Sequence, residues 1–137
     1  MRYGYIRVST KEQHTDRQED ALRKYGVDSL FIDRQSGKDF SRNGYQSLME
    51  TVREGDVIIV KSIDRLGRNY DEILEQWRLI TKVRGADIVV LDMPLLDTRT
   101  KVGGITGIFV ADMVLQILAY VAQTESWMRE EKRTGII

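Results

Sequence analysis

The sequence contains no cysteine, one histidine and one proline among its 137 residues. Without cysteine the chain cannot form a disulfide, a thiolate metal site or a cysteine nucleophile. The single histidine, His14, falls in a polar segment that should form the first turn of a helix, which favours a surface position over a catalytic one. No group of carboxylates and histidines has the spacing of metal ligands, so we expect no metal and no other cofactor.

The chain also lacks an excess of charge of either sign and a long uninterrupted apolar run. Lys and Arg number 21, and so do Asp and Glu. A neutral average still permits a local arginine cluster that holds phosphate. The longest apolar stretch, 105–122, is interrupted by Asp112 and Gln116, which argues against a membrane span. Because residues 1–4 run directly into a strand-like segment, no signal peptide is expected, and we predict a cytoplasmic location.

Apolar β-branched stretches alternate with helix-like segments along most of the chain. The predicted strands are 2–8, 30–33, 57–60 and 88–91, and the predicted helices between them are 13–25, 45–53 and 70–84. Thr10 with Gln13 and Asn69 with Glu72 have the spacing of capping boxes, and Gly26, Gly55 and Gly85 stand where helices should stop. This alternation predicts an α/β fold with a mainly parallel sheet flanked by helices.

The last third of the chain predicts one long helix, which contains no helix breaker from about residue 107 to 133. Its apolar stripe includes Val114, Ile117, Val121 and Met128. A domain of this size cannot cover such a helix fully, so we expect the stripe to form a dimer interface with a second copy. A terminal helix folded wholly onto its own sheet is the alternative. The predicted organisation is an α/β core at 1–106 and an oligomerisation or linker helix at 107–137.

The segment 5–10 (Tyr-Ile-Arg-Val-Ser-Thr) ends the first predicted strand in two hydroxyl residues, directly before a helix. Alternation along a strand places Tyr5, Arg7 and Ser9 on one side, so an arginine and a serine face the same space. A serine at this junction also lies beside the free N–H groups of the helix, which favour a phosphate oxygen. Taken alone, the pattern favours a helix cap with a surface arginine over a catalytic site.

A second segment, 61–69 (Lys-Ser-Ile-Asp-Arg-Leu-Gly-Arg-Asn), directly follows the predicted strand 57–60. Ligands collect at the carboxyl ends of parallel strands, so this segment and the end of the first strand can converge. Arg65 and Arg68 are three residues apart and can approach one bound group, and Asp64 can hold one of them through a bidentate ion pair. A salt-bridged loop is the structural alternative.

Together, the two segments resemble the two signature motifs of the resolvase/invertase (serine recombinase) family. A third stretch, 33–37 (Asp-Arg-Gln-Ser-Gly) followed by Arg42, is similar to the mobile active-site loop of that family. The order of the motifs, their spacing and the long late helix agree as well. The resemblance therefore covers almost the whole chain.

The resemblance implies a DNA recombinase that needs neither metal nor ATP. Ser9 would attack a DNA phosphodiester, become joined to the 5′ phosphate and free a 3′ hydroxyl. Arg7, Arg65 and Arg68 would surround the scissile phosphate, with Asp64 beside them. Four further positions match supporting residues of the family's active site: Tyr5, Gln13, Ser36 and Arg42. Guanidinium groups suit this task because they stay charged and their planar fork matches phosphate oxygens. No residue stands out as a general base for Ser9.

The same resemblance implies double-stranded DNA as the partner and a homodimer that pairs into a synaptic tetramer, with no membrane and no small-molecule substrate. The chain departs from the family at Ser126, where an arginine usually follows the helix glutamate, here Glu125. We therefore assign DNA contact to Arg129, Lys132 and Arg133 on the same helix. Family members normally continue into a DNA-recognition domain, which we expect to be absent from this chain.

Two other classes of function remain open from the sequence. The first is a metal-free nuclease that uses the same serine chemistry without rejoining the strands. The second is a non-enzymatic α/β regulatory module, such as a receiver domain. A receiver needs an acidic cluster after its first strand, and this chain has Arg7 and Ser9 there instead.

Overall fold

The computed structural model describes residues 1–9, 16–35, 43–99, 101–102 and 105–134, with side chains described for all of these except 9, 35, 101–102, 105–106 and 123–134. Its central feature is a parallel sheet with the strand order β2-β1-β3-β4. The strands are β1 (Arg2–Ser9), β2 (Ser29–Gln35), β3 (Val57–Val60) and β4 (Asp87–Val90). The predicted parallel sheet is confirmed, and β2 extends two residues beyond its predicted end.

Helices connect the strands and follow the last one. They are α1 (Asp16–Tyr25), α2 (Asn43–Thr51), α3 (Tyr70–Arg78) and α4 (Gly107–Thr134). A 3-10 turn at Ile63–Arg65 precedes α3, and a π-helical turn at Leu79–Val83 continues it. A short antiparallel pair, β5 (Lys101–Val102) and β6 (Ile105–Thr106), leads into α4. The predicted helices are confirmed, while residues 13–15 and the predicted cap at Thr10 lie outside the described residues.

The predicted helix ends show the expected backbone chemistry. The Asn69 side chain accepts a hydrogen bond from the Glu72 backbone N–H at 2.9 Å and so caps α3. Gly26 and Gly85 follow α1 and the π-helical turn with φ of 98° and 68°. These left-handed conformations are accessible to glycine at little cost, which is why both helical segments stop there.

Side chains alternate along β1 between two apolar cores, one on each face of the sheet. Tyr3 and Tyr5 point into the larger core, which α2, α3 and α4 cover. Ile6 and Val8 point into the smaller core beneath α1. The same alternation places Arg7 on the side of α2 and α3, at the carboxyl end of the sheet. The fold therefore directs the polar end of β1 toward the connection that follows β3.

The long helix α4 packs on the larger core through one face. Ala111 and Leu115 are fully buried and Ala119 nearly so. Asp112, on the flank of this buried face, accepts a hydrogen bond from Nε1 of Trp77 at 2.9 Å. The opposite face leaves five large apolar side chains exposed: Phe109, Met113, Ile117, Tyr120 and Val121. In the part of the chain that the structure describes, no helix is long and apolar enough to cross a membrane.

Candidate active site

Arg7 links the two segments that the sequence predicted to converge. Its Nη2 atom donates to the carbonyl oxygen of Asp64 at 2.5 Å and contacts that of Gly67 at 3.5 Å. Arg7 and Asp64 are 57 positions apart in the sequence and come from the ends of β1 and β3, which are neighbours in the sheet. Their predicted convergence is therefore present in the structure.

The segment after β3 makes a tight turn, which depends on a buried leucine and on a glycine that has no space for a side chain. Leu66 is fully buried in the larger core and anchors the end of the 3-10 turn. A Cβ atom on Gly67 would lie 2.7 Å from the Glu72 Cβ and 2.8 Å from the Ile73 nitrogen. Because the chain passes this close to the start of α3, only glycine fits at position 67. Arg65 and Arg68 lie on either side of this turn.

Asp64 does not make the bidentate arginine pair that the sequence suggested. Its carboxylate accepts a hydrogen bond from the Ser62 hydroxyl at 2.5 Å, while its backbone carbonyl binds Arg7. The carboxylate that holds Arg68 is Glu72, which accepts from Nε at 3.2 Å. The nearby Ser62 hydroxyl competes for Asp64, and Glu72, in the first turn of α3, lies within reach of the Arg68 guanidinium.

The two arginines of this segment differ in exposure. Arg65 is half-buried, whereas the side chain of Arg68 is 54% exposed. An exposed ion pair such as Arg68–Glu72 contributes only about 0.2–1 kcal/mol. A phosphate group accepts hydrogen bonds from both arms of a guanidinium fork, so it can compete with Glu72 for Arg68.

Asp33 is a buried carboxylate that the sequence analysis did not select as a site residue. It is 5% exposed and accepts three hydrogen bonds: from the Tyr5 hydroxyl at 2.6 Å, the Gly44 N–H at 2.6 Å and the Tyr45 N–H at 3.0 Å. Asp33 thereby ties β1 and β2 to the first turn of α2. Its signal in the sequence is an acidic residue that directly follows the apolar stretch 30–32.

Tyr5 contacts both Asp33 and Tyr45 from within the larger core. Its ring is fully buried and meets the ring of Tyr45 edge-on, with centroids 5.3 Å apart. The Tyr45 hydroxyl in turn donates to Oε1 of Gln76 at 2.5 Å, which connects α2 to α3. These contacts fix α2, whose first residue follows Arg42, relative to α3, which begins just after Arg68.

Ser9 is the last residue of β1, and its backbone pairs in register with Gln35 of β2. Its side chain lies outside the described residues, as do Gln13, Ser36 and Arg42 altogether. The cations Arg129, Lys132 and Arg133 lie on α4, in the stretch whose side chains are not described. The assignments of these residues stay predictions.

The apolar stripe that the sequence predicted as a dimer interface coincides only in part with the exposed apolar residues of α4. Ile117 and Val121 are exposed by 59% and 45%, whereas Val114 is half-buried and packs against the larger core. The side chain of Met128 is not described. The exposed stripe also contains Phe109, Met113 and Tyr120, which the sequence analysis missed. Their spacing of three and four residues is visible in the sequence, but it does not show which face of the helix meets the core.

The turn that Arg7 contacts carries two further cations, Arg65 and Arg68, beside the carboxylates of Asp64 and Glu72. Among the described residues, no three His, Asp or Glu side chains form a group that could hold a metal ion. Asp97, an acid whose pKa is shifted, lies outside this cluster. Arg99 binds its carboxylate and also contacts the Tyr25 hydroxyl. Burial tends to raise the pKa of Asp97, but its hydrogen bonds and charge contact with Arg99 outweigh this and lower it.

Comparison with known proteins identifies the family of this chain. The family model described as "Resolvase, N terminal domain" matches residues 2–136. The transposon Tn501 resolvase of Pseudomonas aeruginosa is 35% identical over 136 residues, which cover 98% of this chain and 68% of that protein. The transposon Tn3 resolvase of Escherichia coli is 38% identical over 125 residues, covering 90% of this chain and 62% of that protein.

A solved structure shows the same fold at lower identity. The N-terminal catalytic domain of TP901-1 integrase superposes with a TM-score of 0.62 and 23% identity, covering 93% of this chain and 98% of that one. The family model and the two resolvases support the family that the two sequence motifs suggested. This chain belongs to the resolvase N-terminal domain family.

Proposed function

We propose that this chain is the catalytic domain of a site-specific DNA recombinase that cuts DNA with Ser9. The observation that carries the proposal is the contact of Arg7 with the carbonyl oxygens of Asp64 and Gly67. It joins the strand that ends in Ser9 to the turn that carries Arg65 and Arg68. Family membership supports the same activity, because the relatives reported above are named transposon resolvases.

The reaction is a transesterification at phosphorus. The Ser9 oxygen attacks the phosphorus atom of a DNA phosphodiester, the bond from phosphorus to the 3′ oxygen breaks, and the enzyme stays joined to the 5′ phosphate. The serine loses its proton and the departing 3′ oxygen gains one. Because bond energy is kept in the phosphoserine ester, a 3′ hydroxyl can attack it and rejoin the strands without ATP.

The arginines would supply the electrostatic part of catalysis. Negative charge on the transferred phosphoryl group must be stabilised during in-line attack, and fixed guanidinium groups do this without reorganising. Arg7 is held by backbone carbonyls and Arg65 is half-buried, so both are positioned before DNA binds. Arg68 is more exposed and would close on the phosphate by exchanging Glu72 for it.

The exposed stripe on α4 supports the proposed homodimer. Phe109, Met113, Ile117 and Tyr120 are each more than half exposed. Fully burying such a side chain gains roughly 1.5–3 kcal/mol, against a cost of association of about 4–15 kcal/mol. Several residues buried on both subunits can exceed this cost, so α4 would pair with a second copy. Pairing of two dimers on double-stranded DNA would give the synaptic tetramer.

The proposal is tested by trapping the covalent intermediate. Supercoiled plasmid is incubated with the chain at low salt, denatured, and analysed for protein attached to DNA ends. The proposal expects protein on 5′ ends, with free 3′ hydroxyl groups that a polymerase can extend. Broken DNA with free 5′ phosphates and no attached protein would instead indicate a nuclease.

A further inference from the structure

Glu72 binds an arginine of the candidate active site, although the proposed chemistry gives no task to an acid. Its Oε2 atom accepts a hydrogen bond from Nε of Arg68 at 3.2 Å, and the two residues form an ion pair. A carboxylate beside a phosphate-binding arginine weakens the attraction for phosphate, because both anions are attracted to the same positive charge. The position of Glu72 therefore needs a reason of its own.

The backbone of Glu72 is fixed by contacts that do not involve Arg68. Its N–H donates to Oδ1 of Asn69 at 2.9 Å, which is the cap of α3. Its Cβ atom lies so close to Gly67 that a Cβ atom on that residue would come within 2.7 Å. The Glu72 side chain is only 28% exposed, compared with 54% for that of Arg68. The fold thus places an acid beside the turn, and Arg68 is the more exposed partner.

The atoms in contact decide what the ion pair blocks. A guanidinium presents its N–H groups in a planar fork and binds phosphate best through two of them at once. One such pair consists of the Nε–H group and an N–H group of a neighbouring nitrogen. Because Glu72 occupies Nε of Arg68, a phosphate that binds through this edge must displace the carboxylate.

An ion pair of this exposure is weak enough to be displaced. Exposed pairs shift an equilibrium by about two- to fivefold. A DNA phosphodiester carries one negative charge, as the carboxylate does, but DNA presents many such charges together and gains from the release of its counterions. Glu72 therefore loses Arg68 to DNA and keeps it against a single small anion at low concentration.

A role in the stability of α3 is the alternative explanation for Glu72. Acids in the first turn of a helix interact favourably with its dipole, and α3 carries two, Asp71 and Glu72. A role confined to the dipole would make these two acids equivalent. Within the described residues, however, Asp71 is exposed and has no ion-pair partner within 4 Å, whereas Glu72 binds Arg68. Asp71 is therefore the matched control.

We propose that Glu72 is a positioning residue, which holds Arg68 in the free enzyme and competes with the DNA phosphate for it. This rests on the proposed function, in which Arg68 binds phosphate, and adds a regulation of that site. Glu72 acts through Arg68 and does not touch the reacting atoms. As a consequence, the site binds DNA several-fold less tightly than it would without this acid, and Arg68 engages only phosphates that DNA delivers.

Binding of a short fluorescent duplex at low salt, measured by fluorescence anisotropy, tests the proposal. A Ser9→Ala chain is used so that no cleavage interferes, and it is compared with the same chain carrying Glu72→Gln or Asp71→Asn. Both changes remove one negative charge from the first turn of α3. We expect Glu72→Gln to lower the dissociation constant about two- to fivefold further than Asp71→Asn does. Loss of a purely structural contact would not tighten binding.

Repeating the comparison without the Arg68 guanidinium shows whether the effect passes through it. In an Arg68→Gln background, Glu72→Gln and Asp71→Asn should change the dissociation constant equally, because Glu72 then has no arginine to hold. Urea denaturation of the same chains measures what each acid contributes to stability. A larger loss of stability for Glu72→Gln without a gain in affinity would assign Glu72 a structural role and overturn the proposal.

The outcomes separate this proposal from the proposed function. Equal affinities of the two acid variants, weaker binding by Glu72→Gln, or a gain that persists in the Arg68→Gln background would overturn the role of Glu72. Formation of the covalent complex by a chain with Ser9 intact reports on the proposed function independently. A chain that cleaves DNA while Glu72 and Asp71 behave alike would keep that function and lose the role of Glu72. Absence of binding by every chain would overturn both.

Discussion

Arg7 donates from Nη2 to the carbonyl oxygen of Asp64 at 2.5 Å, across 57 positions of sequence. Because the acceptor is a backbone carbonyl, this hydrogen bond depends on the path of the chain. It does not require any particular side chain at position 64. The guanidinium is thereby held at the carboxyl ends of β1 and β3, where ligands of parallel sheets bind. This placement of Arg7 joins the end of β1 to the turn that carries Arg65 and Arg68.

Replacing the arginines of the turn by lysine should greatly reduce DNA cleavage. Lysine keeps the charge at positions 65 and 68 but loses the planar fork that contacts two phosphate oxygens. We expect Arg65→Lys and Arg68→Lys each to slow formation of the covalent complex by at least about a hundredfold. The measurement is a single-turnover cleavage assay with an excess of protein over DNA.

Arg23→Lys is the matched control for these variants, since Arg23 is an exposed arginine in the last turn of α1. It should cleave at the wild-type rate. If lysine at both turn positions also supports that rate, the two arginines supply general electrostatic attraction only, and their assignment to the phosphate is wrong.

Asp33→Asn should destabilise the fold at the start of α2. An amide presents an NH₂ group where the carboxylate accepts from Tyr5, Gly44 or Tyr45, so at least one buried donor loses its partner. We expect the free energy of unfolding to fall by about 1–3 kcal/mol, measured by urea denaturation. Tyr5→Phe removes one donor and should cost about 1 kcal/mol. Equal stability of Asp33→Asn and wild type would show that these bonds contribute little.

Cleavage should continue when divalent metal is removed. In the proposed mechanism arginines stabilise the phosphoryl charge that metal ions stabilise in many nucleases. The covalent complex should form in excess EDTA as fast as in Mg²⁺, compared at equal ionic strength because salt screens DNA binding. A strict requirement for Mg²⁺ in the cleavage step would contradict the mechanism and favour a metal-dependent nuclease.

Ile117→Asp should convert a dimer into a monomer. Ile117 lies within the exposed apolar stripe of α4, and a carboxylate buried there would lose its hydration. We expect sedimentation to show a monomer–dimer equilibrium for wild type and a dissociation constant raised by at least about a hundredfold for the variant. Ser47→Asp adds the same charge on the exposed surface of α2 and should leave the equilibrium unchanged. A wild-type chain that stays monomeric at high concentration would show that the stripe has another role.

The strands and helices could be predicted because they depend on local patterns. The apolar stretch Val57–Val60 and the stops at Gly26 and Gly85 reflect backbone preferences that act within a few residues. The convergence of Arg7 with the turn after β3 followed from the general geometry of parallel sheets. Those features needed no knowledge of how particular side chains pack.

The pairing of buried polar groups could not be predicted in the same way. Asp33 binds Tyr5 and the N–H groups of α2, and these partners lie 11 to 28 positions away. The Asp64 carboxylate binds Ser62 rather than an arginine because a hydroxyl two residues away is within reach. The face of α4 that meets the core is likewise set by packing, which buries Ala111 and Leu115 and leaves Met113 and Ile117 exposed.

The attachment site of the cleaved DNA tests the central claim most directly. The trapped complex is digested with nuclease and trypsin, and the peptide that carries a nucleotide is sequenced by mass spectrometry. Trypsin should release residues 8–11 (Val-Ser-Thr-Lys), in which fragmentation distinguishes the two hydroxyl residues. The account predicts the phosphate ester on Ser9, and no covalent complex from a Ser9→Ala chain that folds normally by circular dichroism. A nucleotide on Thr10 or on any other residue, or a full yield of complex from Ser9→Ala, would contradict it.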